Sequence, residues 1–519
     1  MRVRRGWWCG GLWLALGVAG ACGDPVAVGA GGTEASGSSG VGSGGSTTSD
    51  AVDSSGAGSD EGGSSTGEPG SPVACAAGYS IPASEQAPGD PEAGYRAMIE
   101  EGYVTCGIPY PLFDLAAPHL GGFASGEPLP GRTGLNATVP YNWTVHTASS
   151  GAQIVSLNCL ECHAGSFGGE LIVGLGKADA DYTDDLGAAL GNIPVPPVPI
   201  PGLEELTRMA RRYQVVGDDI RMLTVGTNPA DKLAAVLSAH RDADTLAWSD
   251  EPHTLIPDII FPVDTPPWWH VRKKHGLFFN GMARGDHRAT MIYATSLCTD
   301  TVAEAEGILS YFDDMRAYIE SIEPPASPLA VDEALVAEGE QIFARDCACC
   351  HGTYAADEAD ETYPNLLLPL DVVGTDPLLA REAHDRPFAG WFNESWYGEI
   401  GQLTTGEPFV GYVAPPLDGV WATAPYLHNG SVPSLALVLD STRRPRYWRR
   451  VSYDSTVFDE VNVGWPYLEL EYGQDDAPVD ERKHVYDTTK LGHRNTGHTF
   501  GDHLNDGERG AVLEYLKTL

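Results

Sequence analysis

Two copies of one five-residue pattern stand out in this chain: Cys159-Leu160-Glu161-Cys162-His163 and Cys347-Ala348-Cys349-Cys350-His351. In C-x-x-C-H the two thiols are spaced to bond the two vinyl groups of one haem, and the adjacent histidine becomes the proximal iron ligand. Cysteine and histidine number only 10 and 15 of 519 residues, so a chain of this composition would show one chance match roughly once in two hundred. Two rival readings fit less well. A zinc site draws four ligands from paired clusters. A thioredoxin-like dithiol wants a βαβ context and no obligatory histidine. The pattern therefore predicts two covalently attached haem c groups, one on Cys159, Cys162 and His163, the other on Cys347, Cys350 and His351.

The group opposite each proximal histidine decides what such a site does. A His/Met pair usually carries electrons, whereas an open sixth position admits dioxygen, peroxide or carbon monoxide. All seven methionines lie at or before Met315. The second iron therefore cannot be His/Met within its own part of the chain. Its candidate ligands are His384, His428, His484, His493, His498 and His503. His498, in Asn495-Thr496-Gly497-His498-Thr499-Phe500 just before the last apolar helix, is the favoured choice, and His428 is the runner-up. For the first iron, Met209, Met222, Met282, Met291, His270, His275 and His287 all follow the motif and none sits in a diagnostic pattern. Trp268, Trp269, Phe278 and Phe279 are candidates for a dry distal pocket or an electron relay. Ordinary core packing is the competing reading of such aromatics.

Helices must position these groups. Short helices are expected over 94–103, 204–213 and 229–240. Ile308, Leu309, Phe312, Met315, Tyr318 and Ile319 recur at spacings of three and four, which predicts one helix over 302–322 ended by Pro324-Pro325. A helix over 331–345 leads into the second motif. Another over 506–519 opens on Asn505 with Glu508 three residues later, a capping-box arrangement. β signals are weak. The expected fold is mainly α, two cytochrome c-like domains with long ordered loops and little β. Their limits are 73–325 for an N-terminal haem domain and 326–519 for a C-terminal one.

Length alone allows two to four domains. The net charge is −39, from 71 acidic and 32 basic residues. That argues against nucleic acid as partner and is compatible with a basic redox protein, although a solvated acidic surface is the blander and favoured explanation. Arg2, Arg4 and Arg5 followed by an apolar stretch form an export signal too short for a membrane span. It ends in Ala19-Gly20-Ala21-Cys22, which resembles a bacterial lipobox with Cys22 as the lipidated residue, so residues 1–22 read as a lipoprotein signal. Residues 23–72, rich in Gly, Ser and acids and without Lys, Arg or aromatics, read as a disordered tether. The expected location is outside the cytoplasm: lipid-anchored in the periplasm or outer membrane, or at the cell surface. The membrane is met only through the lipid. Once the signal, the lipid and the two haems have taken their cysteines, Cys75, Cys106, Cys298 and Cys349 remain. Three pairings are open to them.

The run from Leu417 to Pro433 (LDGVWATAPYLHNGSVP), together with Thr265–Trp269, Arg284–His287, Gly497–Phe500 and the Glu514–Lys517 ending, resembles the rubber oxygenase-like branch of di-haem cytochrome c peroxidases. The likeness runs from about residue 90 to the end. It implies two inequivalent c-type haems. One, on His351 and His498, would be a bis-His electron-transfer group. The other, on His163, would have an exchangeable face where peroxide or dioxygen reacts, with Phe278 or Phe279 near it. The partner would be a redox protein or a small-molecule oxidant. A calcium ion between the haem domains is compatible by analogy with peroxidases, but no compact carboxylate loop marks it. The non-catalytic alternative is an electron-transfer lipoprotein with both irons six-coordinate.

Overall fold

The structure, a computed structural model, describes residues 71–519 apart from 196, 257 and 386. The signal, Cys22 and nearly all of the tether lie outside the described residues.

β structure surrounds the first motif. Trp143–Thr147 (WTVHT) and Gln153–Leu157 (QIVSL) are rich in aromatic and β-branched residues, which fit a pleated, half-buried surface. They pair antiparallel, from Trp143 opposite Leu157 to Thr147 opposite Gln153, and Ile108–Pro109 adds an edge strand to Gln153–Leu157. The motif itself is one helical turn, Leu160–His163. The chain leaves it along Ala164–Phe167 and doubles back as Glu170–Val173.

Helices place the second motif. Glu333–Asp346 starts on an Asp332 N-cap and ends at Cys347, and Ala348–His351 follows as a short turn. Asp506–Leu516 opens with the reciprocal Asn505/Glu508 capping box. The two long helices cross closely. A Cβ on Gly339 would fall 2.0 Å from the Ala511 carbonyl oxygen, so this crossing requires glycine. The Phe343 and Tyr515 rings then pack 5.2 Å apart.

Three further small antiparallel sheets complete the unit. Leu366–Pro369 lies between Tyr79–Ser80 and Gly411–Val413, Tyr447–Arg450 between Tyr467–Glu469 and Tyr486–Asp487, and Ala283–Gly285 pairs with Gly401–Leu403. Among the described residues, no helix is long and apolar enough to cross a membrane.

The expectation of a mainly α protein built as two cytochrome c-like domains is corrected by this architecture. The described residues are 39% helical and 13% strand with several small sheets, a mixed α/β organisation, and no two-domain cytochrome fold emerges among them. The cores show why. Met98, Leu160, Trp268, Ile292 and Met315 share one apolar cluster with Phe392, Tyr397 and Leu403. Phe343, Trp421, Trp465 and Val512 share another with Phe167, Leu175 and Trp269. Each core draws residues from both sides of position 325. The strands escaped notice because they are two to five residues long, too short for an alternating pattern to stand out.

The helix expected over 302–322 is two helices, Val302–Leu309 and Phe312–Ser321. Gly307 and Ser310 weaken the first, and Asp313 and Asp314 favour a fresh N-terminus just after the break. The other expected helices form at Pro91–Glu100, Leu203–Val216 and Ala230–Ala239.

Candidate haem sites

At the first motif, Asn158 ties the turn to the preceding sheet. Its side chain accepts from the Leu160 N–H and donates to the Tyr141 carbonyl and the Thr144 hydroxyl. The Cys159 N–H donates to the Tyr103 hydroxyl, and Cys162 Sγ lies 3.3 Å from the Tyr182 hydroxyl. Between the thiols, Glu161 points inward. Burial pushes its carboxyl up, against the pull of Lys177 at 3.5 Å and a hydrogen bond from Asn142. Burial also pushes the Cys159 thiol up to about 11.

His163 stacks almost parallel on Trp268, with ring centroids 4.7 Å apart and an interplanar angle of 19°. Burial lowers the His163 pKa to about 4, against a hydrogen-bonding contribution from the Pro266 backbone. Trp268 is held in place by its N–H, which donates to the Gly174 carbonyl, while the Gly174 N–H donates to the His163 carbonyl. Trp268 therefore buttresses the histidine from the side.

At the second motif the arrangement differs. His351 Nδ1 lies 2.8 Å from the Pro415 carbonyl oxygen. A carbonyl only accepts, so Nδ1 carries the hydrogen and Nε2 keeps its lone pair, the usual state of a metal-ligating histidine. Facing it is His498, with ring centroids 6.2 Å apart. A metal–imidazole bond is about 2 Å and the ring centre lies roughly 1 Å behind the nitrogen, so two histidines across one ion are about 6 Å apart. The pair fits an iron between them. Burial, with His351 and Arg444 nearby, lowers the His498 pKa to about 3, against hydrogen bonding to the backbone of Val438 and of His498 itself. The Cys347 and Cys350 thiols are pushed up by burial to about 12 and about 11.

The loop that delivers His498 is strained and anchored. Gly497 and His498 both have positive φ, 73° and 46°. The His498 N–H donates to the Val373 carbonyl at 2.7 Å, and a Cβ on Gly497 would strike the Gly374 backbone at 2.1 Å. Arg444 makes five hydrogen bonds, all to carbonyls: Leu437, Val438, Asn495, Gly497 and His498. Five is the full complement of guanidinium donors. Sequence reading passed over Arg444, because bonds to backbone carbonyls leave no residue-type signal.

The other candidates have other partners. His428 stacks on Tyr412 at 4.2 Å and shares a 3.1 Å hydrogen bond with its hydroxyl. His493 Nδ1 meets the Leu491 carbonyl, His484 lies beside Tyr453, and His503 lies at the surface near Asp346. The His384 side chain is outside the described residues. His270 Nε2 bonds the Asp418 carbonyl and His275 Nδ1 the Ile81 carbonyl. His287 is buried beside the His275 backbone, and burial lowers its pKa to about 4.

The four aromatic candidates are not gathered around His163. Trp268 and Phe278 belong to the core that flanks the first motif, Trp269 to the core under the second motif. Phe279 packs in the cluster that holds Cys350, facing His428 at 6.4 Å.

Of the three pairings open to the remaining cysteines, the structure has Cys75–Cys349 and Cys106–Cys298. The four C-x-x-C-H thiols are the free cysteines among the described residues. Among those residues, no trio of carboxylates converges as a calcium site would require.

Residues 411–449 match the family described as RoxA-like, cytochrome c-like. The chain carries a cytochrome c-like segment of this kind. That segment includes His428 and Arg444, and it supports the rubber oxygenase-like likeness without reaching the di-haem peroxidases at large. The chain is also similar to two uncharacterized proteins of Sinorhizobium fredii (strain NBRC 101917 / NGR234). One, y4iM, is 28% identical over 326 residues, covering 54% of this chain and 69% of that protein. The other, y4iJ, is 26% identical over 292 residues, covering 44% of this chain and 47% of that protein. The chain thus spans about half the length of the second relative.

Proposed function

We propose that this chain is an exported di-haem c-type cytochrome, anchored by lipid on Cys22, in which the two haems have different tasks. Cys159 and Cys162 tether one haem with His163 as its axial ligand. Cys347 and Cys350 tether the other between His351 and His498. Bound haem supplies one-electron transfer and, where a face stays open, reaction with peroxide or dioxygen. The observation that carries the reading is the His351–His498 pair at 6.2 Å, set against His163, whose ring contact is with Trp268.

The protein's own groups divide the work accordingly. The Pro415 carbonyl fixes the tautomer and rotation of His351, and Arg444 holds the His498 loop, so both ligands stay put when charge changes. A fixed ligand pair suits electron transfer. At the first motif, enclosure of Glu161 and His163 keeps the proximal side dry.

A path through the protein also joins the two histidines. His163 stacks on Trp268, the adjoining Trp269 donates its indole N–H to the Asp418 carbonyl at 2.7 Å, and the chain runs back from Asp418 to the Pro415 carbonyl on His351. Such a path would let a haem held by His351 supply electrons to one held by His163, where the bound group would offer reaction with peroxide or dioxygen. The acidic surface suits a basic redox partner.

One observation favours the non-catalytic alternative. His287 is buried at a helix start packed on the same core as the first motif, beside the His275 backbone, and burial lowers its pKa to about 4. A buried neutral imidazole keeps a lone pair that a second ligand for the first iron would use. The test is rapid mixing of fully reduced protein with peroxide and, separately, with dioxygen. Fast oxidation of both haems by one of them supports the enzyme. Indifference to both oxidants leaves the electron carrier.

A further inference from the structure

The second motif contains a thiol too many. In Cys347-Ala348-Cys349-Cys350-His351 three cysteines sit within four positions, and haem takes two. Cys349 is held by Cys75, across a sequence separation of 274. Cys75 Sγ also lies 3.1 Å from Cys350 Sγ. The sulfurs of Cys75, Cys349 and Cys350 thus lie within 4.8 Å of one another, and one bond decides which of the two neighbours remains free.

Cys75 does not reach this place by chance of the disulfide alone. It lies in the short helix Ser71–Ala76, and the next strand, Tyr79–Ser80, pairs with Leu366–Pro369, Tyr79 opposite Leu367. The Ile81 N–H then donates to the Asn365 carbonyl and its carbonyl receives His275 Nδ1. Backbone pairing, as well as the disulfide, docks this segment beside the second motif.

We propose that Cys75 guards haem attachment at the second motif: its disulfide removes Cys349 from competition, so that the vinyl groups meet Cys347 and Cys350 alone. The inference rests on the haem reading above. Closing the Cys75–Cys349 bond gives two electrons and two protons to a disulfide-forming oxidant of the export compartment, and from the closed bond onward the chemistry balances without a further reagent. Each attachment adds one S–H across one vinyl group, sulfur to carbon and hydrogen to the neighbouring carbon. The wrong isomer arises by exchange: Cys350 thiolate attacks Cys75 Sγ, the Cys75–Cys349 bond breaks, and Cys349 leaves as the thiolate. No net oxidation occurs, and Cys350 is then lost to haem. Attachment at Cys350 makes that exchange impossible, so haem and the Cys75–Cys349 bond secure each other.

The test uses the full chain matured in an exporting host that attaches haem c, read by intact mass, haemochrome count and peptide mapping. Wild type should carry two haems, with thioethers at Cys347 and Cys350 and a Cys75–Cys349 crosslink. In Cys75→Ser, three thiols offer three pairs of which one is correct, so correct attachment should fall to roughly one third. The double variant Cys75→Ser/Cys349→Ser lacks both guard and competitor and should regain wild-type loading. Correct loading of the single variant overturns the guard. So does a double variant as depleted as the single one, because the disulfide then acts by holding the fold. A wild-type protein without haem at the second motif refutes the underlying reading and the guard with it. The wild-type count therefore reports on the haem and the variants report on the guard.

Discussion

The two C-x-x-C-H motifs share five-residue chemistry and differ in what surrounds the histidine. His351 is gripped from behind by the Pro415 carbonyl and faces His498 across a gap that fits one iron. His163 is buried beside the Pro266 backbone and rests on the Trp268 indole. One motif enters from a long helix and is closed by a strained loop under Arg444. The other is a single turn between β-hairpins. A ligand that must stay fixed needs hydrogen bonds on its far nitrogen and its loop. The contrast teaches that the tether alone does not set the task of a haem site.

The largest effect should come from His498. His498→Ala removes a ligand outright, so the low-spin signal of the second haem should vanish and that haem should bind carbon monoxide, with the first haem unchanged. An intact low-spin signal in the variant would remove His498 from the site.

Arg444 comes next. Lysine keeps the charge and loses the fork, so Arg444→Lys should cost about 3 kcal/mol of unfolding free energy and turn part of the second haem high-spin. Loss of stability without a spin change would limit Arg444 to packing. Trp268→Leu should act on the other site: about 2 kcal/mol of stability and a shifted first-haem spectrum beside an unmoved second one. Equal shifts at both haems would blur the comparison.

The smallest effect per step is acid sensitivity. Burial holds His270 and His428 at about 3 in the folded chain, against about 6.5 when unfolded. The unfolded state therefore takes up protons first. Stability should be level above about pH 6.5 and fall below it by about 1.4 kcal/mol per pH unit for each such histidine, down to their folded pKa. Denaturant midpoints in holoprotein between pH 7 and pH 4.5 check this. A flat profile would mean that these imidazoles are charged when folded.

What the sequence made legible follows from range. The thiols and histidines of the two C-x-x-C-H motifs lie within five residues, so the chemistry they propose is written locally. The nomination of His498 rests on the absence of methionine after Met315 and its place before the last helix, and the structure sets that ring opposite His351. The Asn505 cap and the helix around Gly339 are likewise local. Arg444 was not legible, because all its partners are backbone carbonyls. Nor was the choice of Cys75 for Cys349, since connectivity depends on how distant segments dock. The strand Trp143–Thr147 alternates apolar and polar residues over too few positions to stand out, and Gln153–Leu157, largely buried, does not alternate. The Val302–Leu309 and Phe312–Ser321 pair kept one apolar stripe through a break that periodicity cannot see.

The asymmetry between the two sites is tested most directly by electron paramagnetic resonance of the oxidised holoprotein, followed by carbon monoxide added to the reduced form. The account predicts one bis-His low-spin signal, from the second haem, and a carbon monoxide shift involving only the other haem. Two low-spin signals with no response to carbon monoxide would contradict it and make both irons six-coordinate.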